Sequence, residues 1–157
     1  MRKEIDGSRL DPSNAFHFDR LNNSDAFETG ISTTLGFDYK IKKSGENIFD
    51  FSVAQVINAK ENNKMPSITS MDEKLSDFVG STSFKMSDNF ILKYDFALDQ
   101  NYSDLNYNSF EGNFNFNPLK LDLNYLQEKK HIGDQDYLKS KLGYENDKTS
   151  IFLENKR

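Results

Sequence analysis

The chain has 157 residues, enough for one domain, and its formal charge of −5 with no basic run argues against a nucleic-acid binder. It has no cysteine, so there is no disulfide framework and no thiolate metal site. Mean hydropathy is −0.76, low for a thick core, yet 14 Phe and 7 Tyr fall largely on alternate positions, which suits a sheet with one wet face.

Residues 1–30 are polar and punctuated by Asp6-Gly7-Ser8, Asp11-Pro12-Ser13-Asn14 and Asn22-Asn23-Ser24-Asp25. They read as a loop with one short strand from Ala15 to Arg20. From Ile31 to Ile41 the chain alternates: Ile31, Leu35, Phe37, Tyr39 and Ile41 share one parity, while Ser32, Thr34, Gly36, Asp38 and Lys40 share the other. Period two over such a length predicts a strand with one apolar face. A turn over 42–47 leads to a second strand, with Phe49, Phe51, Val53 and Ile57 opposed to Asp50, Ser52 and Ala54.

A long polar connection over 58–74 follows, then a strand from Ser76 to Met86, a tight Ser87-Asp88-Asn89 turn, and a fourth strand. In that strand Phe90, Leu92, Tyr94, Phe96 and Leu98 alternate with Ile91, Lys93, Asp95, Ala97 and Asp99. Lys93 and Asp95 would be costly in a dry core, so their face is expected to be wet or internally paired. Further strands are expected over 105–116, from Leu119 through Tyr125, over 135–144 and over 149–153. No stretch keeps helical spacing for long, and no apolar run reaches the length of a transmembrane helix, about 18 residues.

The arms are long. Soluble strands average about five or six residues, whereas a tilted strand crossing a bilayer needs about nine to eleven. The connections also alternate, short then longer, which is what the two unlike rims of an outer-membrane barrel predict. The expected fold is therefore all-β: an antiparallel up-and-down meander of about eight strands, part of a transmembrane outer-membrane β-barrel. Residues 1–30 would be an entry segment on the extracellular side and 31–157 an incomplete barrel segment. With short turns on the periplasmic side, both ends of the chain fall on the outer rim, so the sequence reads as an internal fragment of a larger barrel. The absence of an apolar leader region at Met1-Arg2-Lys3-Glu4-Ile5-Asp6 agrees with that expectation.

Two stretches carry a resemblance. Asn14-Ala15-Phe16-His17-Phe18-Asp19-Arg20-Leu21 followed by Asp25-Ala26-Phe27-Glu28-Thr29-Gly30 is similar to a segment of the LptD/OstA family, outer-membrane lipopolysaccharide-assembly proteins. Arg20, Asp25, Glu28 and Gly30 match that family's residues just before a membrane strand. Ser52-Val53-Ala54-Gln55 resembles its strand ending in Gly-Gln, with Gln55 matching and Ala54 in place of the glycine. Ser76-Asp77-Phe78-Val79-Gly80 resembles the segment opening the next hairpin, through Asp77 and Gly80. Ile31 and Ser32 stand where the family often has an arginine. The resemblance covers roughly residues 14–100.

That resemblance implies a role in the outer membrane of a Gram-negative bacterium. Such proteins receive lipopolysaccharide from periplasmic bridge components and insert it into the outer leaflet, beside outer-membrane lipid and around a lipoprotein plug (LptE-like). No bond is broken, so no enzymatic activity and no cofactor are expected. Asp38, Lys40, Asp50, Lys93, Asp95, Lys120 and Asp122 share the non-apolar parity and are expected to face the lumen; a plainly solvated sheet face is the alternative.

His17 and His131 are the only histidines, and no partners for a metal site or triad can be placed around them. Asp134-Gln135-Asp136 lacks the spacing of a calcium loop. Asp25 and Glu28 are expected to pair with Arg20 at the strand entrance. Two other functions fit the pattern: a different outer-membrane barrel, such as a small porin or anchor, or a soluble β-sandwich or lipocalin-like binding module.

Overall fold

A computed structural model of the chain describes residues 9–17, 20, 30–63, 65, 67–130 and 134–157. Eight strands form one antiparallel sheet in simple chain order. They are β1 (Ser32–Lys43), β2 (Glu46–Asn58), β3 (Phe78–Ser87), β4 (Phe90–Leu98), β5 (Leu105–Phe116), β6 (Leu119–Glu128), β7 (Gln135–Glu145) and β8 (Ser150–Lys156). The sheet is open: β1 and β8 each have one neighbour. Among the described residues the one helical turn is a 3-10 piece, Ser67–Thr69, and no helix is long and apolar enough to cross a membrane.

The tight connections occupy one end of the sheet. Residues 44–45, 88–89, 117–118 and 146–149 link the hairpins there, while β2, β4 and β6 end, and β3, β5 and β7 begin, at the other end. The first turn is tighter than its polar composition suggested. Lys43 pairs with Glu46, and both central residues, Ser44 (φ 54°) and Gly45 (φ 87°), are left-handed. Two left-handed central residues match the right-handed twist of the flanking strands, which is why this turn suits a long hairpin. The short strand expected from Ala15 to Arg20 does not form in its described part. Residues 12–16 are turns, fixed by Asp11 Oδ1 accepting from the Ser13 and Asn14 amides at 2.7 and 3.0 Å, so this described part offers no extended run to an edge.

The register puts the apolar parities of all eight strands on one face. One cross-strand row reads Tyr39, Phe51, Thr82, Tyr94, Phe110, Tyr125 and Leu138. Among the described residues nothing covers this face. Ile31 is 79 % exposed and Leu153 69 %, and Leu35, Phe37, Tyr39, Phe116, Leu142 and Ile151 are exposed too. Neighbouring rings meet within the face, Phe90 and Phe114 at 4.9 Å and Phe37 and Phe51 at 6.5 Å. Soluble monomers rarely expose a contiguous apolar surface of this extent.

The core lies on the opposite face, at the end of the long connections. Ala54, Val56, Val79 and Ala97 are buried there under Leu10, Ala15, Met65 and Met71, with Tyr107 packed alongside. The expectation of a wet face for this parity is thus corrected at one end, where the chain's own loops cover it.

Candidate functional site

Two surfaces carry the functional geometry: the exposed apolar band and the polar face behind it.

The band runs obliquely to the hydrogen-bond rows. One row begins apolar with Phe37, Val53, Gly80 and Phe96, then turns polar at Asn108, Gln127 and Asp136. The next row toward the tight turns runs on to Leu138 on β7 before it meets Arg157, and the row after that reaches Leu123 and ends polar at Asn155 on β8, with Ser140 an interruption on β7. At the tight-turn end the shift has the same sense. Lys43 and Glu46 close the first hairpin, whereas Phe116, Leu119, Tyr144 and Ile151 form an apolar row at the same end of the last four strands. Both edges of the band therefore step toward the tight turns from β1 to β8. A level apolar belt crosses hydrogen-bond rows in this way when the strands are tilted to it and staggered, as in a barrel wall.

On the other face, the seven residues expected to line a lumen fall together. Lys40 pairs with Asp50, and that row continues through Ser83, Lys93, Glu111, Asn124, Lys139 and Lys156. Asp38 pairs with Ser52 and Asp95 with Ser81, in the next row. Asp122 pairs with Asn113, and Lys120 with Asn115 and Gly143. None of the seven is buried. Ser52 Oγ donates to Asp38 at 2.5 Å, Asn113 Nδ2 to Asp122 at 2.9 Å, and Lys120 bonds Glu145. Lys139 and Glu154 pair at 2.9 Å. The face is an exposed lattice of paired charges and hydroxyls.

Toward the long connections this lattice gives way to small side chains. Gly36, Ala54, Val79 and Ala97 form one row across β1–β4, ending at Tyr107 and Glu128. Residues 9–17 lie along it as a strap. At one end the Arg9 guanidinium sits 3.1 Å from the centre of the Tyr107 ring, a cation–π contact. At the other end the Phe16 ring fills the space where a Cβ on Gly36 would stand. Between them Leu10 and Ala15 are buried, Ala15 with 0 % exposure.

The residues of the family-like motifs gather at this end. Arg20 clamps the strap to β1: its Nε donates to the Ala15 carbonyl at 2.7 Å, Nη2 to Thr34 Oγ1 at 2.9 Å and Nη1 to Ser32 Oγ at 3.3 Å. Asp25 and Glu28 lie outside the described residues, as does His131. Gly30 has φ of 111°, a conformation open to glycine and strained for other residues. Gln55 joins two connections, donating to the Ser76 carbonyl at 3.0 Å and accepting from Tyr102 Oη at 2.8 Å. Gly80 is covered by the Phe96 ring. His17 is exposed, and among the described residues no group of three or more His, Asp or Glu is placed to hold a metal ion.

Asp77 lies in a small cavity with Arg9, Ser70, Asn106, Tyr107 and Glu128. Burial raises its carboxyl above the ordinary value; the Asn106 hydrogen bond (2.9 Å) and Lys130 oppose the shift. Asp99, in the 99–104 connection, moves the other way. The Asp104 amide foremost, and the Ser103 amide with it, hold its carboxylate below the usual range. Sequence reasoning missed Arg9, Asn106, Tyr107 and Glu128. The available signal was the recurrence of Gly36, Ala54, Val79 and Ala97 on the polar parity near the same rim.

A family model described as LPS transport system D matches residues 7–150. No curated protein matches the chain.

Proposed function

Since the chain belongs to the LptD family of LPS transport system D proteins, we propose that its eight strands are a segment of a transmembrane outer-membrane β-barrel that inserts lipopolysaccharide into the outer leaflet. The family is one of outer-membrane proteins with a role in LPS transport. The observation that carries the finer reading is the bare, oblique apolar band. A sheet built this way meets hydrocarbon on one side and water on the other. Strand lengths agree: β1 to β7 span 9 to 13 residues, against the nine to eleven or so that a tilted crossing requires.

In this reading the work is passage of an amphiphile, with no bond-making step. Acyl chains stay with lipid, and sugars and phosphates follow the polar lattice of Asp38, Lys40, Asp50, Lys93, Asp95, Lys120 and Asp122. A lipoprotein plug and the periplasmic bridge components would engage the full-length protein. The two sheet edges, at β1 and β8, are where further strands of the same protein would pair to close the wall. The soluble sandwich reading needs a second layer over the aromatic face, and that face is exposed.

The test is site-specific photo-crosslinking in full-length protein in living cells. A crosslinker at Lys93 or Asp122 should capture lipopolysaccharide, and one at Phe37 or Leu92 should capture bulk lipid. Capture without regard to parity, or no lipopolysaccharide adduct from the polar positions, would refute the reading.

A further inference from the structure

Resting on the barrel reading, we propose that residues 9–17 act as an internal stopper: they close the lumen over β1–β5 at the rim of the long connections and leave the polar rows nearer the tight turns as the part of this segment open to sugars. The strap crosses five strands on what would be the lumen side, from Gly36 on β1 to Tyr107 on β5. The wall beneath it is built to receive it. Gly36, Ala54, Val79 and Ala97 offer neither charge nor hydroxyl, whereas the adjacent row on the same face carries Asp38, Ser52, Ser81 and Asp95. Small apolar side chains facing a wet lumen gain nothing; under a cover they let that cover approach the backbone closely.

The cover is packed on apolar side chains and fastened at both ends. Leu10 and Ala15 join Met65 and Met71 from the β2–β3 connection in a single buried cluster. Phe16 over Gly36 fixes one end and Arg9 on Tyr107 the other, and Thr34 Oγ1 also donates to the Ala15 carbonyl at 2.9 Å. Beyond Tyr107 the small-residue row stops at Glu128. Several rows nearer the tight turns the same face carries Lys40, Lys93, Lys120, Asp122, Lys139 and Lys141, none of them buried.

The experiment uses the full-length protein in cells. A cysteine at Ala15 (Ala15→Cys) is probed with a membrane-impermeant maleimide added outside, with and without Gly36→Val, which pushes Phe16 off its seat. Gly143→Val is the matched control. It crowds Phe152 on the same face, away from the strap. Ala15→Cys should be protected alone and label about tenfold faster or more with Gly36→Val, as local opening becomes easier. Entry of a large polar dye should rise in Gly36→Val and not in Gly143→Val. Equal labelling in both backgrounds overturns the proposal, as does equal dye entry in the two valine variants. Carbonate extraction separates this from the barrel reading. Protein that stays in the membrane and admits no dye once the strap is unseated overturns the stopper alone; protein stripped by carbonate overturns both.

Discussion

The ring of Phe96 on β4 covers Gly80 on β3, its direct cross-strand partner, and leaves no space for a Cβ there. The contact joins a motif glycine to the aromatic face. A glycine weakens a strand, and a ring laid over it from the neighbouring strand restores the lost contact.

Gly80→Ala is therefore expected to destabilise the sheet by about 1–3 kcal/mol, the cost of overpacking a filled site. Urea unfolding of the full-length protein in detergent or bilayers reads it directly. Combining Gly80→Ala with Phe96→Ala should cost less than the sum of the two single changes. Strict additivity would mean that the ring contact is not what fixes the glycine.

The oblique band predicts unequal costs within one hydrogen-bond row. Phe37 and Gln127 share a row, one inside the band and one beyond its edge. Phe37→Arg should cost roughly 2–4 kcal/mol, as for a cation at the bilayer midplane, and Gln127→Arg roughly 0–1 kcal/mol, as near an interface. Asp38→Asn, one residue from Phe37 and on the other face, should be mild. Assembly yield and unfolding free energy in bilayers check the set, and equal penalties at Phe37 and Gln127 would remove the tilt argument.

Arg20→Lys should loosen the strap although the charge is kept. A guanidinium presents a planar fork that spans a carbonyl and two hydroxyls, whereas an ammonium is a single point on a flexible stem. Loss of two such bonds should cost about 1–3 kcal/mol locally. Hydrogen exchange should quicken at the Ala15 and His17 amides, which bond the Asp11 and Asn14 carbonyls at 3.0 and 2.9 Å. Unchanged exchange would show that Arg20 does not clamp this segment.

Asp77 gives the rim a pH dependence of defined sign. Its carboxyl is raised above 3.8 in the folded chain by burial, so the folded state holds the proton more tightly than the unfolded one. Stability from this group is thus greatest below 3.8 and is lost as pH rises through the higher folded value. Asp77→Asn retains an acceptor for Asn106 and should flatten that slope. Unfolding midpoints measured from acid to neutral pH should fall more steeply for the native chain; parallel curves would exclude Asp77 as the source.

Much of this architecture was legible in the residues alone. Side-chain parity follows from the pleat, a local property, so Ile31 to Ile41 and Phe90 to Leu98 declared their two faces without reference to any neighbour. Turn chemistry is local as well, and the alternation of tight and longer connections could be read from the chain. The family-like residues Arg20, Gln55, Asp77 and Gly80 were also visible, though not what they touch.

What the tertiary structure decided is everything that depends on register and on distant segments. Whether Ala54 and Val79 meet water is not a property of β2 or β3; it depends on where Leu10 and Met71 come to rest. Phe16 looked like part of a strand and instead fills the space over Gly36, because the Asp11 turn bends the chain onto the sheet. The slant of the apolar band has the same origin. Each strand fixes only its own apolar span, and the stagger between strands is set by turns and cross-strand pairing, so the tilt exists only once the eight are aligned.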